Sequence, residues 1–141
     1  MDTVKPIKIS ATDRVSDFPD QWPFIISGFG NTALETYTPY LHLANVPLVD
    51  WWTCKQTWET EDEEIITDDK MCTSKRNAGT LDGDSGGPLV HTHSDRAEWR
   101  LVGITSFGTD DFPYPDVYTR VSRHCVWIAD TTNMDVICSL Y

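Results

Sequence analysis

The stretch that decides the fold lies near the middle of the chain: Thr80-Leu81-Asp82-Gly83-Asp84-Ser85-Gly86-Gly87-Pro88-Leu89-Val90. One serine hydroxyl stands between an aspartate and two glycines, and a proline with two apolar residues follows. Glycines let the backbone turn sharply and approach another molecule closely. A serine hydroxyl is a weak nucleophile unless a base removes its proton. The segment therefore predicts a turn that presents Ser85 just before a strand, and it raises the question of where a base would lie.

The composition of the chain fits a single globular domain. It has 141 residues, of which 40% are hydrophobic and 23% are charged, and a chain of this length can bury a real core. The net charge of −11 argues against binding to nucleic acid or to an anionic membrane surface. The sequence has no apolar run of about 18 residues, and its first residues have no apolar segment. We therefore expect no membrane span and no signal peptide in this chain.

Short apolar segments separated by turn residues are typical of a β-rich protein. The predicted strands are Pro23–Gly30, Tyr40–Val49, Glu64–Thr67, Gly87–Thr92, Trp99–Gly108 and Asp116–Val121. This spacing favours a small antiparallel barrel or a sandwich, and Pro47 predicts an edge or a bulge. We also predict two short helices, one after Asp50 and one from Ser122 to about Thr131, with Ser122 as a candidate N-cap.

Four cysteines form two pairs along the chain: Cys54 and Cys72 are 18 residues apart, and Cys125 and Cys138 are 13 residues apart. Neither pair has the spacing of a zinc site. The even count favours two disulfides and hence an oxidising compartment, with four buried free thiols as the alternative. Three connectivities are open from the residues alone. The acidic run Glu59–Glu64 lacks the ligand pattern of a calcium loop, so we expect no metal and no cofactor.

The segment Gly83–Pro88 resembles the serine signature of the trypsin/chymotrypsin-like serine proteases. Six other segments resemble family motifs: Val4–Ile9 (the linker between the two barrels), Ser27–Thr32 ("TGWGxT"), Asn45–Val49 ("xVPIV"), Ile66–Cys72 ("ITxxMIC"), Leu101–Gly108 ("LVGIxSWG") and Pro115–Val121 ("PGVYTRV"). The resemblance covers nearly the whole chain but only the C-terminal half of the family. It implies an all-β fold, the second, six-stranded antiparallel Greek-key barrel followed by a short C-terminal helix. Residues 1–141 would then be a partial protease domain without the first barrel.

The resemblance also implies roles around the serine. Ser85 would be the nucleophile, and the backbone N–H groups of Gly83 and Ser85 would form the oxyanion hole. In the family, the residue at Asp84 pairs with a new N-terminus released by activation cleavage. No such N-terminal motif occurs in this chain, so we expect the Asp84 carboxylate to be solvated or satisfied by local N–H groups.

By the same resemblance, the substrate pocket comprises Gly79, Ser106, Phe107, Gly108 and Asp116. Gly79 stands at the pocket floor, where a trypsin-like enzyme has an aspartate, whereas Asp116 replaces a glycine of the family. Two interpretations of Asp116 stay open: it faces the pocket and favours Lys or Arg substrates, or it is satisfied by solvent or nearby N–H groups. Leu81 replaces a family cysteine, and we expect the pocket wall that this cysteine braces in the family to be looser here, or to be packed by Leu81 and Phe112.

In the family, the catalytic histidine and aspartate lie in the first barrel, so the resemblance implies that the base for Ser85 is not in this chain. The four histidines of this chain lack the sequence context of the family's catalytic histidine, and we expect all of them to be surface or partly packed residues: His42, His91, His93 and His124. Of these, we expect His91 and His93 to lie at the exposed end of the strand after Pro88. For the cysteines, the pair Cys54–Cys72 matches a family bridge. The pair Cys125–Cys138 is our inference from proximity, because it closes a short loop over the terminal helix.

Three functions remain open. The first is that the chain is part of a secreted serine endopeptidase that acts on proteins or peptides together with a complementary N-terminal half. Alternatively, it is a non-catalytic protease homologue that binds peptides or proteins in the old cleft, or a structural half-domain that pairs with another chain.

Overall fold

The computed structural model describes residues 4–12, 24–36, 38–59, 65–93, 98–110 and 113–140. In these residues the strands are β1 (Lys8–Ser10), β2 (Phe24–Gly28), β3 (His42–Val46), β4 (Leu48–Val49), β5 (Lys70–Thr73), β6 (Pro88–His93), β7 (Glu98–Phe107), β8 (Asp116–Arg120) and β9 (Cys138–Ser139). The helices are α1 (Trp51–Trp58) and α2 (Cys125–Thr131), and a 3-10 turn (Val121–His124) leads into α2. Neither helix is long and apolar enough to cross a membrane.

The sheet closes through a strand that is interrupted at Pro47. The pairing order is β3-β2-β6-β7-β8-β5-β4, and β3 and β4 are separated in sequence only by Pro47. On one side Val46 pairs with Phe24, and on the other side Leu48 pairs with Thr73. A proline cannot donate to a ladder, so the segment changes partner strand at this residue. The two ends of the antiparallel path are therefore halves of one segment, and the predicted all-β barrel with a short C-terminal helix is confirmed.

The barrel interior is filled by alternate side chains of these strands. The main buried cluster comprises Phe24, Ile26, Val46, Met71, Leu89, Val102 and Tyr118. A second cluster of Cys54, Ile66, Cys72 and Val117 packs α1 against the outside of β5. Disulfides join Cys54 to Cys72 and Cys125 to Cys138, which are the pairs predicted from the sequence. The first fixes α1 to β5, and the second fixes α2 to β9.

Three local predictions are wrong. Residues 65–67 form no strand; β5 begins at Lys70, after a turn in which the Lys70 N–H donates to the Thr67 carbonyl at 3.1 Å. Ile66 is nevertheless buried, so its apolar character reflects packing rather than strand pairing. Ser122 lies inside the 3-10 turn, and α2 begins only at Cys125.

The third wrong prediction concerns a histidine. His91 is fully buried in β6, with its ring 4.6 Å from that of Phe24, although an exposed strand end was expected. The predicted residues Pro23, Phe112 and 60–64 lie outside the part of the chain that the structure describes.

Candidate active site

Two linked turns carry Ser85 in front of β6. The Asp84 N–H donates to the Leu81 carbonyl at 3.1 Å, and the Gly87 N–H donates to the Asp84 carbonyl at 2.9 Å. Gly83 and Gly86 have φ values of 96° and 81°, in the left-handed region that residues with a Cβ rarely adopt. These two glycines let the chain reverse on both sides of the serine, whose side chain is exposed.

Hydrogen bonds to β7 bring this turn against the predicted pocket strand. The Gly86 N–H donates to the Thr105 carbonyl, and the Thr105 N–H donates to the Gly87 carbonyl, both at 2.9 Å. Ser85 therefore lies beside the end of β7 and the residues that follow it. A cavity of about 230 Å³ opens there. Its lining includes four of the predicted site residues, Ser85, Ser106, Phe107 and Gly108.

Phe107 is braced as a wall of this cavity. The ring of Trp58 on α1 meets it edge-on with the ring centroids 5.3 Å apart. The Trp58 indole N–H is in turn fixed by a 3.1 Å hydrogen bond to the Pro115 carbonyl. Helix α1, held to β5 by its disulfide, thus sets the position of a pocket wall.

The carboxylate of Asp84 is held by two backbone N–H groups. One oxygen accepts from Gly30 at 3.0 Å, and the other accepts from Leu81 at 3.0 Å. A Cβ at Gly30 would come within 2.6 Å of the first oxygen, so this loop needs a glycine for the close approach. Asp84 therefore ties the serine turn to the loop after β2. Leu81 is a local N–H donor of the kind expected from the sequence, whereas Gly30 lies 54 residues away in the chain.

The carboxylate of Asp116 is fully buried between two glycines of the predicted pocket. A Cβ at Gly79 or at Gly108 would lie 2.5 Å from one of its oxygens. One oxygen accepts from the Thr80 N–H at 2.6 Å, and the other accepts from the ammonium of Lys75 at 3.1 Å. The pocket wall thus contains an ion pair inside the protein.

Lys75 is the site residue that the sequence analysis missed. Besides Asp116, its ammonium donates to the Thr80 carbonyl at 2.6 Å, and only 10% of its side chain is exposed. No motif marks this lysine. The only sequence feature that could have pointed to Lys75 is Asp116, which stands where the family has a glycine. A carboxylate buried at such a position needs a partner of opposite charge.

Tyr118 lies under this wall in the barrel core. Its hydroxyl is hydrogen-bonded to the Thr73 hydroxyl at 3.0 Å. Burial raises the pKa of the phenol far above its usual range, and the negative charges of Asp116 and Asp84 raise it further. Tyr118 therefore remains a neutral packing residue.

Neither His42 nor His91 is among the residues that line the cavity beside Ser85. His42 on β3 is bonded through Nε2 to the Thr38 hydroxyl at 3.2 Å, and it borders a different cavity of about 410 Å³ on the far side of Leu81. His91 is buried in the barrel. No group of three or more potential metal ligands occurs among the described residues.

The serine turn, the curled antiparallel sheet and the C-terminal helix agree with the comparisons to known proteins. The family profile described as Trypsin matches residues 1–128, and the chain belongs to this family of serine proteases. It is 30% identical to ovochymase of Halocynthia roretzi over 147 residues, covering 96% of this chain and 9% of that protein.

Two other relatives are similar over much of the chain. Human mannan-binding lectin serine protease 1 is 32% identical over 115 residues, covering 78% of this chain and 16% of that protein. Serine protease 1 of Drosophila melanogaster is 34% identical over 129 residues, covering 89% of this chain and 45% of that protein. The chain therefore spans less than half the length of these relatives.

Proposed function

We propose that the chain is the nucleophile-bearing half of a secreted serine endopeptidase. The observation that carries this proposal is the exposed Ser85 on a turn made by two left-handed glycines, beside a cavity at the end of β7. In this role Ser85 attacks the peptide carbonyl, and the N–H groups of Gly83 and Ser85 stabilise the oxyanion. Proteins or peptides are the substrates, and the segment Ser106–Gly108 pairs with their backbone as an added strand.

The base and its supporting carboxylate come, in this proposal, from a complementary N-terminal half. Two observations support such a partner. The relatives are much longer than the chain, which covers 45% of the Drosophila protein. Apolar side chains are also exposed on β3 and α2, among them Leu43 at 67% and Trp127 at 66%. Exposed apolar patches of this kind mark interaction surfaces, and we assign them to the complementary barrel.

The test is reconstitution. The oxidised chain is co-expressed with the first barrel of the Drosophila relative, complex formation is followed by size-exclusion chromatography, and Ser85 is probed with a fluorophosphonate. We expect the complex to be labelled and to hydrolyse fluorogenic peptide amides, whereas the isolated chain is not active. Ser85→Ala is the matched control and should form the same complex without labelling.

The same experiment distinguishes the endopeptidase from an alternative function. The second candidate, a non-catalytic homologue that binds peptides or partners, is favoured by the occupied pocket wall, where Lys75 pairs with Asp116. A stable complex in which Ser85 remains unlabelled would contradict the endopeptidase proposal and support this alternative.

A further inference from the structure

The ion pair between Lys75 and Asp116 has a consequence for the ligands of the pocket. We infer that Lys75 is the built-in counter-ion of this subsite, so that the pocket excludes Lys and Arg side chains and accepts a small uncharged one. The inference rests on the proposed function, because it names the substrate class of the same cavity.

Both oxygens of the Asp116 carboxylate already accept a hydrogen bond inside the protein. One oxygen binds the Lys75 ammonium at 3.1 Å, and the other binds the Thr80 N–H at 2.6 Å. None of the Asp116 side chain is exposed. The glycines at 79 and 108 leave room for the carboxylate oxygens and for little else, since a single added Cβ would come within 2.5 Å of them.

Displacing the Lys75 ammonium from its partners would cost a large free energy. Its ammonium also donates to the Thr80 carbonyl at 2.6 Å, so both backbone groups of Thr80 are tied into the same network. Removing one member of a buried pair leaves an uncompensated charge, which is strongly destabilising. A substrate cation would therefore have to displace Lys75 or share one carboxylate with it, and like charges a few ångströms apart repel each other.

The cavity beside this ion pair is small. Its volume is about 230 Å³, and its lining includes the ammonium-bearing Lys75, the hydroxyl-bearing Thr105 and Ser106, and the ring of Phe107. The lining also includes the carboxylates of Asp82 and Asp110. Both residues are exposed, so water and salt screen their charges, whereas the charge of Asp116 is balanced inside the protein. The favourable occupant is a small uncharged side chain that contacts Phe107 without displacing the ion pair.

The experiment measures binding of benzamidine, a rigid amidinium cation, to the full chain by NMR titration. Wild type should bind weakly. Lys75→Met keeps the length of the side chain and removes its charge, and it should bind benzamidine at least tenfold more tightly. Lys70→Met is the matched control, because Lys70 also pairs with a carboxylate, that of Asp69 at 2.7 Å, but on another part of the barrel. It should bind benzamidine as wild type does.

Saturable binding to wild type that is as tight as binding to Lys75→Met would overturn the inference, because Lys75 would then leave the carboxylate to the ligand. The inference is also overturned if a folded Lys75→Met binds no better than wild type. A second measurement covers the case in which Lys75→Met does not fold. In wild type, reductive methylation of Lys75 should be much slower than that of the exposed Lys5, and Asp116→Asn should accelerate it. Equal rates for the two lysines in wild type would contradict the inference.

These readouts are independent of catalysis. If the reconstituted complex is active but prefers Lys or Arg substrates, the inference about the pocket fails and the proposed function stands. If Lys75→Met binds benzamidine tightly while Ser85 is never labelled, the pocket inference stands and the endopeptidase proposal fails.

Discussion

The site contains two aspartate carboxylates, Asp84 in the serine turn and Asp116 in the pocket wall, and each is hydrogen-bonded within the protein by different groups. Asp84 uses backbone N–H groups of two separate loops. Asp116 uses one N–H group and a lysine. Hydrogen bonds to an ionised acceptor contribute more to stability than neutral ones, so each carboxylate stabilises the loops that donate to it.

At the residue scale, we expect Asp84→Ala to destabilise the protein. The change removes both acceptors and leaves the Gly30 and Leu81 N–H groups without them, which should lower the free energy of unfolding by about 2 kcal/mol. Urea denaturation followed by fluorescence measures this loss. The matched control is Asp82→Ala, whose exposed side chain is two residues away and whose backbone carbonyl bonds to Asn31 in either variant. A loss for Asp84→Ala that is no larger than the loss for Asp82→Ala would refute this assignment.

At the scale of the elements, α1 depends on its N-cap. The Asp50 carboxylate accepts from the N–H groups of Trp52 and Thr53, each at 3.0 Å. It also accepts from the Thr53 hydroxyl. This helix has only eight residues, a length at which isolated helices do not form in water. The cap, the disulfide and the packing against β5 therefore hold it together.

The cap predicts both a stability change and a pH dependence. Asp50→Ala should lower the free energy of unfolding by about 1 kcal/mol, whereas Asp50→Asn should retain most of the cap. The hydrogen bond from the Thr53 hydroxyl lowers the pKa of Asp50 below its ordinary value of 3.8, and the bond from the Thr53 N–H adds to this effect. Because the folded pKa is lowered, this stabilisation is present above the ordinary value and is lost as the pH falls through the folded value.

Denaturation of wild type and Asp50→Asn between pH 7 and pH 2 tests that sign. The difference between the two proteins should change only below about pH 4, the range of an ordinary aspartate. If the stability of both proteins fell in the same way below pH 4, Asp50 would not contribute to the pH dependence.

The two disulfides should differ in accessibility. Cys54 and Cys72 are fully buried, whereas Cys125 and Cys138 are half-buried. Thiol–disulfide exchange requires access to a sulfur, so limiting reductant should open Cys125–Cys138 first. Alkylation and peptide mapping over time measure the order. Replacing Cys54 and Cys72 together by alanine should cost about 3 kcal/mol in the chain-entropy model. Equal reduction rates, or a different pairing, would contradict this prediction.

At the scale of the whole molecule, two outer surfaces of the described barrel have apolar side chains exposed to water. Leu41 and Leu43 lie at or next to β3, with 55% and 67% of each residue exposed, and Val126 and Trp127 are exposed on α2. Helix α2 has no fully buried residue. The described part of the barrel therefore provides no cover for these side chains, which is the basis of the proposed complementary half.

We predict that the isolated chain self-associates through these surfaces. Analytical ultracentrifugation should show concentration-dependent association, and a Leu43→Ser/Trp127→Ser variant should shift the protein toward monomer without lowering its stability, because exposed side chains contribute little to the core. Leu34→Ser is the control, because this residue is 94% exposed and belongs to the loop after β2 rather than to β3 or α2; it should have no effect. A wild-type chain that stays monomeric at high concentration would argue against an interface here.

The sequence alone determined the class of fold and the serine turn. The alternation of apolar segments and turns predicted the strands, and the glycines of the segment Gly83–Gly87 predicted the sharp turn around Ser85. These are local properties, because strand alternation and glycine conformations depend on neighbouring residues. Prediction failed at two residues whose burial depends on contacts that are distant in sequence. Ile66 was placed in a strand, but it is apolar because it packs beside the Cys54–Cys72 disulfide. His91 was expected to be exposed, but it lies inside the barrel because β6 is between β2 and β7.

Only the tertiary structure decided the character of the pocket. The sequence left open whether Asp116 faces a ligand or is satisfied by the protein, because its partners lie 36 and 41 residues away in the chain, at Thr80 and Lys75. Those partners meet Asp116 only when β8 pairs with β5 and the segment after β5 passes beside it. The energy of a charge depends on the groups within a few ångströms of it in space. Sequence spacing does not encode those distances, so the state of this carboxylate is a property of the folded barrel.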